Sequence, residues 1–254
     1  FPTAVLSNQT GYETYFCEDF TDDMEPYMEQ WKERGFVPDG IYTGFLSDEK
    51  QADKILKFMD MFAAEDTLIL TDPVMGDDGE VYPIYTEALR RRFCELVKRS
   101  CVITPNLTEA LVLLYGKEKM KTVWKEFQTI TGQERLERIE ETGRKLAEEF
   151  SLSAVVITGV DQQEEGDTVK MGNLVLENGK CSWVFAEKAG GSYSGTGDIF
   201  ASILSAGLVK GYSMEACADM AVDFISASIR DAVKEGTDRN DGVCFELHLG
   251  RLVR

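Results

Sequence analysis

The string Gly195-Thr196-Gly197-Asp198 stands directly before an apolar run, and its residue types suit the handling of an anion. Small residues let backbone N–H groups face a ligand at close range, and a helix start adds the positive end of its dipole. An aspartate beside such an anion hole can accept the proton of an attacking hydroxyl. That is the main covalent duty of a protein in phosphoryl transfer, the rest being positioning and charge neutralisation. A glycine-rich turn with an aspartate in the first helical turn is the plainer alternative, and the string alone does not separate the two.

Further polar clusters follow other short apolar runs. Asp72-Pro73-Val74-Met75-Gly76-Asp77 puts two carboxylates on one loop, where they could hold cations directly or through water, or form a solvated turn. Thr104-Pro105-Asn106-Leu107-Thr108-Glu109 offers hydroxyl, amide and carboxylate groups at the opening of a helix, or a turn capped by Thr108. Thr158-Gly159 ends another run, and Ser7-Asn8-Gln9-Thr10-Gly11-Tyr12 ends the first, which would set polar and aromatic groups over a small planar ligand. No lysine-bearing Walker loop and no dinucleotide Gly-x-Gly-x-x-Gly occurs. His248 is the sole histidine and has no matching ligands nearby in sequence, so it is expected to be structural or exposed.

These clusters need a scaffold that gathers strand ends. Apolar, β-branched runs at 40–43, 68–71, 101–104 and 154–158 alternate with stretches of helical periodicity, the pattern of βαβ units on a parallel sheet. In such sheets ligands bind beyond the carboxyl ends of the strands. Asp48 can cap a helix carrying Ile55, Leu56, Met59 and Phe62 on one face, and residues 134–150 repeat Leu136, Ile139 and Leu146. From Thr168 to Glu187, two strand-like runs flank Asn178-Gly179, a dipeptide suited to a tight hairpin. Two apolar helices are expected at 197–210 and 213–233, with Gly211 ending the first, and the charged segment 116–132 reads as a surface excursion. The spacing predicts an α/β fold in one domain, residues 1–254: a doubly wound, mostly parallel sheet with flanking helices and an antiparallel edge hairpin.

Forty-five acidic against 27 basic side chains give a net charge of -18, which disfavours nucleic acid and anionic membrane surfaces as partners. It does not exclude ATP, because one magnesium ion and a few backbone N–H groups neutralise phosphate locally. Six cysteines without a Cys-x-x-Cys pair suit reduced, structural thiols. With no run of about 18 apolar residues and no secretory signal, a soluble, cytoplasmic protein is expected. The chain opens at Phe1 and runs at once into the strand-like Ala4-Val5-Leu6, so an upstream piece is expected.

In this order and over nearly the whole chain, the motifs resemble the ribokinase superfamily, in particular its pyridoxal kinase and hydroxymethylpyrimidine kinase branch. The resemblance rests on residues 7–12, Thr43-Gly44-Phe45, residues 72–77 with Gly79 and Tyr82, residues 104–109, 155–159 and 195–198. It implies an ATP-dependent kinase acting on the 5′-hydroxymethyl group of a B6 vitamer. Hydroxymethylpyrimidine kinase, or a non-catalytic vitamer- or nucleotide-binding protein of the same fold, stands as the alternative. It implies Asp198 as catalytic base and the backbone of Gly195, Thr196 and Gly197 as anion hole. Asp72, Asp77, Thr104 and Glu109 would arrange Mg2+ and an activating monovalent cation, K+. Asn106, Glu109, Thr158 and Gly159 would meet ATP, while Ser7, Thr10, Tyr82 and Asp198 would line the ring pocket. Gln9 stands where many members carry histidine, and Phe45 where many carry tyrosine. The family normally has a first strand and helix before this point, a unit the sequence as given is expected to lack, and its members are usually homodimers.

Overall fold

The structure, a computed structural model, describes residues 1–163 and 169–253. In chain order the strands are β1 (Ala4–Leu6), β2 (Cys17–Asp19), β3 (Gly40–Thr43), β4 (Leu68–Thr71), β5 (Gly76–Asp77), β6 (Glu80–Val81), β7 (Val102–Ile103), β8 (Ala154–Gln163), β9 (Val169–Glu177) and β10 (Lys180–Glu187). The helices are α1 (Met24–Glu33), α2 (Glu49–Phe62), α3 (Glu87–Lys98), α4 (Leu107–Phe127), α5 (Gly132–Phe150), α6 (Thr196–Val209) and α7 (Met214–Glu235), followed by 3-10 turns at Arg239–Asp241 and Phe245–Leu252.

Six strands form one sheet in the order β10-β9-β8-β7-β4-β3. Strands β3, β4, β7 and β8 run parallel, and β9 and β10 close the edge as an antiparallel hairpin. Successive side chains of a strand point to opposite faces, and both faces here are apolar. Ile41, Ile69, Ile103, Val155 and Ile157 join the core under α1 to α5, whereas Leu70, Val102, Ala154 and Val156 join the core under α6 and α7. Double burial explains why these runs read as continuously apolar, and the helices on both faces make the sheet doubly wound.

The helix starts follow their caps. Asp48, Thr86, Asn106 and Ser213 each accept a backbone N–H of the first turn of α2, α3, α4 and α7. The hairpin turns at Asn178 and Gly179, both at positive φ, as a type I′ turn needs; Thr168, placed in this hairpin from sequence, lies outside the described residues.

Three expectations are corrected. Ala4–Leu6 is not in the main sheet: it pairs antiparallel with β2 in a separate ribbon, and Val5 is 57% exposed. Residues 116–127 are not an irregular excursion but the second half of α4, beyond a kink at Gly116. Met120, Val123, Trp124 and Phe127 recur at helical spacing and pack into the core. Trp124 fits so closely on the Gly79 turn that a Cβ at residue 79 would clash with its indole nitrogen. Finally, β8 does not end at Thr158. Gly159, at φ +69°, makes a bulge, and the strand continues to Gln163 against β9.

Candidate active site

The carboxyl ends of β3, β4 and β7 lie beside the bulge of β8, so Thr43, Asp72, Thr104 and Thr158 come together at one end of the parallel strands. Helix α6 starts at the same end, because its apolar face packs on the sheet face that carries Leu70, Val102 and Val156. Gly195, at φ +83°, turns the chain into α6, and no side chain caps that start. A Cβ added at Gly195 or Gly197 would meet nothing within 4 Å. The first N–H groups of α6 therefore face open space with the helix dipole behind them, an arrangement that accepts an anion. Asp198 is exposed in the first turn of α6 and accepts a hydrogen bond from the Tyr42 hydroxyl at 3.2 Å.

The Asp72–Asp77 loop is fastened to the start of α4. Both oxygens of Glu109 are engaged, Oε1 accepting from Met75 N–H (3.1 Å) and Oε2 from Asn106 N–H (2.9 Å). Asn106 caps α4 through Oδ1 and donates Nδ2 to the Gly76 carbonyl at 2.8 Å, while Thr108 Oγ1 accepts from Gly79 N–H at 2.8 Å. Asn106 also bridges to Thr158, whose N–H donates to the Pro105 carbonyl at 2.9 Å, and Gly159 N–H donates to Asn173 Oδ1 at 3.2 Å. Glu109 and Asn106 thus hold the loop, and among the described residues one amide N–H of Asn106 is left for a ligand.

Negative charge is concentrated here. Burial first, and Asp198 second, push the Asp72 carboxyl up to about 7. Burial, then Asp72, pushes Glu109 well above the carboxylate range against the pull of its two N–H bonds. Partial burial raises Asp77, against the pull of the Asp78 N–H and of Arg239. Burial and Asp77 lift the Tyr82 phenol to about 12. Thr104 Oγ1 lies near Asp72 and favours its charged form slightly, yet it makes no hydrogen bond of normal geometry. Among the described residues that hydroxyl is left unsatisfied.

These hard oxygen donors, with an orphaned buried hydroxyl among them, fit a magnesium ion and a monovalent cation. Among the described residues no three His, Cys, Asp or Glu side chains converge on one point. The fit is thus to an ion that keeps waters and shares phosphate oxygens, as Mg2+ does.

The same charges set a pH dependence for the metal-free protein. Between its ordinary value of 3.8 and about 7, Asp72 keeps a proton in the folded state that the unfolded chain has released. Stability consequently falls as pH rises through that window. Glu109 and Asp77 shift in the same direction. Glu25, held down to about 2 by Lys57 and Lys54, contributes a constant amount above its usual 4.5. We expect the melting temperature without divalent metal to drop between about pH 5 and pH 7.5, and Asp72→Asn to flatten that slope. An equal slope in both proteins would refute it.

The loop of residues 7–12 reaches this end by a route that the sequence reading missed. It joins β1 to β2, rather than following a strand of the main sheet, and docks on the segment after α7. Tyr12 donates to Asp241, and Asn240 Nδ2 to the Gly11 carbonyl at 3.3 Å. Arg239, next in line, accepts from Ser194 N–H at 3.0 Å through its carbonyl, and its positive charge favours ionised Asp77 and Tyr82. Ser7 closes the β1–β2 turn, its hydroxyl accepting from Phe16 N–H at 2.9 Å, and Thr10 is exposed. Tyr42 and Arg239 are the residues that sequence reasoning passed over. His248 pairs with Asp231 at 3.0 Å, away from this cluster.

An uncapped helix start at the carboxyl ends of a doubly wound sheet, facing a carboxylate-lined loop, defines the chain as a ribokinase-like α/β protein. The sequence profile of the phosphomethylpyrimidine kinases matches residues 33–242. The chain belongs to the phosphomethylpyrimidine kinase family. A solved structure from Bacteroides thetaiotaomicron, assigned to the phosphomethylpyrimidine kinases and crystallised with pyridoxal, has 30% identity and a TM-score of 0.86, covering 100% of this chain and 84% of that one. The pyridoxine/pyridoxal/pyridoxamine kinase of Bordetella avium is 29% identical over 221 residues, 84% of this chain and 68% of its own length. A protein of Schizosaccharomyces pombe assigned as a pyridoxal kinase is 24% identical over 214 residues, 81% of this chain. The match spans 57% of that relative, less than two thirds of its length. No described helix is long and apolar enough to cross a membrane.

Proposed function

We propose that the protein transfers the γ-phosphoryl group of ATP to the 5′-hydroxymethyl group of a B6 vitamer: pyridoxal, pyridoxamine or pyridoxine. The observation that carries the reading is Asp198, exposed in the first turn of an uncapped helix and held from the sheet by Tyr42. The Bacteroides relative crystallised with pyridoxal supports the choice of ring.

Asp198 takes the proton of the substrate hydroxyl as its oxygen attacks the γ-phosphorus and the bond to ADP breaks. The N–H groups of Thr196 and Gly197, given room by Gly195, carry the charge that develops on the transferred group. Asn106, through its remaining amide N–H, Thr158 and Gly159 meet the ATP phosphates. Asp72, Asp77 and Thr104 would hold Mg2+ and a monovalent cation such as K+, with Glu109 fixing their loop. Bound there, the cations neutralise phosphate charge in an otherwise acidic pocket. Tyr82, Thr10 and Ser7 border the ring. A homodimer in the cytoplasm completes the proposal.

Phosphorylation of hydroxymethylpyrimidine is the second reading, favoured by the family profile. One panel separates them: ATP-dependent phosphorylation of the three vitamers and of hydroxymethylpyrimidine, with Mg2+ and K+ present. Preference for a vitamer supports the first reading and preference for the pyrimidine the second. Turnover of none would leave a ligand-binding role for the same fold.

A further inference from the structure

We infer that Tyr42 is a positioning residue for phosphoryl transfer: its hydroxyl holds Asp198 by Oδ1, leaving Oδ2 as the oxygen turned to the substrate hydroxyl. The inference rests on the reading of Asp198 as the base. The alternation along β3 puts Tyr42 on the α6 face of the sheet, one residue before the strand's carboxyl end, while Ile41 and Thr43 point to the other face. Its ring packs among the side chains under α6, and its hydroxyl emerges where α6 begins, 3.2 Å from Asp198 Oδ1 across 156 residues of chain. Among the described residues no other side chain bonds Asp198.

A neutral donor suits this place. Asp198 and the buried Asp72 repel each other, as the rise of Asp72 shows. A lysine or arginine at residue 42 would neutralise the base, and a phenylalanine would leave it free to turn between rotamers. Tyr42 keeps its proton at any working pH, because burial, Asp72 and Asp198 all push its ionisation far above neutral. During the step the substrate proton passes to Asp198 Oδ2, the new O–P bond forms and the bond from γ-phosphorus to ADP breaks. Tyr42 neither gives nor takes a proton.

The neighbouring Gly44 supplies an independent probe. A Cβ at residue 44 would sit 3.2 Å from the Tyr42 hydroxyl oxygen and 3.7 Å from Asp198 Oδ1. A methyl group there must push the phenol by a few tenths of an ångström.

The test is steady-state kinetics on the full chain with ATP, Mg2+, K+ and pyridoxal, for wild type, Tyr42→Phe, Gly44→Ala and the double variant, each checked by thermal melting. Tyr42→Phe should lower kcat by about 10- to 100-fold with both KM values within about twofold, because misplacing a catalytic group by about 1 Å is enough to cost that much. Gly44→Ala should lower kcat several-fold in the wild type and change nothing in Tyr42→Phe, where the oxygen it presses on is gone. Unchanged kcat in Tyr42→Phe, or an equal loss from Gly44→Ala in both backgrounds, overturns the inference alone. A wild-type chain that turns over no substrate of the panel overturns the kinase reading and this inference with it.

Discussion

Replacing Asp198 by asparagine should lower kcat by about 10²- to 10⁴-fold, the range that a positioned general base supplies. Asparagine has the same shape, and its Oδ1 still accepts the Tyr42 hydroxyl, so the geometry at the start of α6 survives while the proton acceptor is lost. ATP should bind almost as before, because the phosphate-facing groups are backbone N–H groups that the substitution leaves in place. Titration calorimetry with ATP and Mg2+, run beside steady-state kinetics, checks both halves of the expectation. A variant with wild-type turnover would remove Asp198 from the chemistry. A variant that loses nucleotide affinity in step with turnover would place its main role in binding instead.

The parts of this site that were legible in the sequence are those fixed by local chemistry. Strand β4 stands out because both of its faces are covered, Ile69 on one side and Leu70 on the other, so that Leu68, Ile69 and Leu70 follow one another unbroken. Asn178-Gly179 announced its hairpin, and Gly195 to Asp198 announced a helix start, because few residues tolerate left-handed backbone or leave N–H groups uncovered. What stayed hidden depends on tertiary placement. Lys117, Glu118, Lys119, Lys121 and Lys125 made the second half of α4 look like a solvated loop, masking the four-residue stripe that buries Met120 and Phe127. The site roles of Tyr42 and Arg239 could not be read from their neighbours in sequence. Tyr42 matters because β3 turns it toward a helix 156 residues later. Arg239 matters because a 3-10 turn after α7 carries it across the mouth of the sheet. The residues 7–12 string was recognisable, but its structural setting was not. Whether a short strand joins the main sheet or a separate ribbon is decided by which partner covers its backbone, and β2 is polar and fully exposed.

Glu109→Ala should produce the largest loss of stability of any single change in the site, on the order of 3–5 kcal/mol, because it strips acceptors from two backbone N–H groups in a buried setting. Glu109 is only 4% exposed, and its two bonds join the loop after β4 to the first turn of α4. Part of the loss is offset, since Asp72 and Asp77 each gain from the removal of a neighbouring acidic group. Glu109→Gln should fall in between: it keeps the shape and one acceptor but sets an amide donor against an N–H. Urea unfolding in the presence of EDTA gives the decisive comparison, read as a shift of midpoint at constant slope. If Glu109 acts chiefly as a fastener, the destabilisation appears in full without metal. If it acts chiefly as a cation ligand, the metal-free variant should be as stable as the wild type or more so, with the deficit appearing only as a raised magnesium requirement. The engagement of both carboxylate oxygens by N–H groups favours the first outcome, leaving Asp72, Asp77 and Thr104 as the groups with oxygen to spare for an ion.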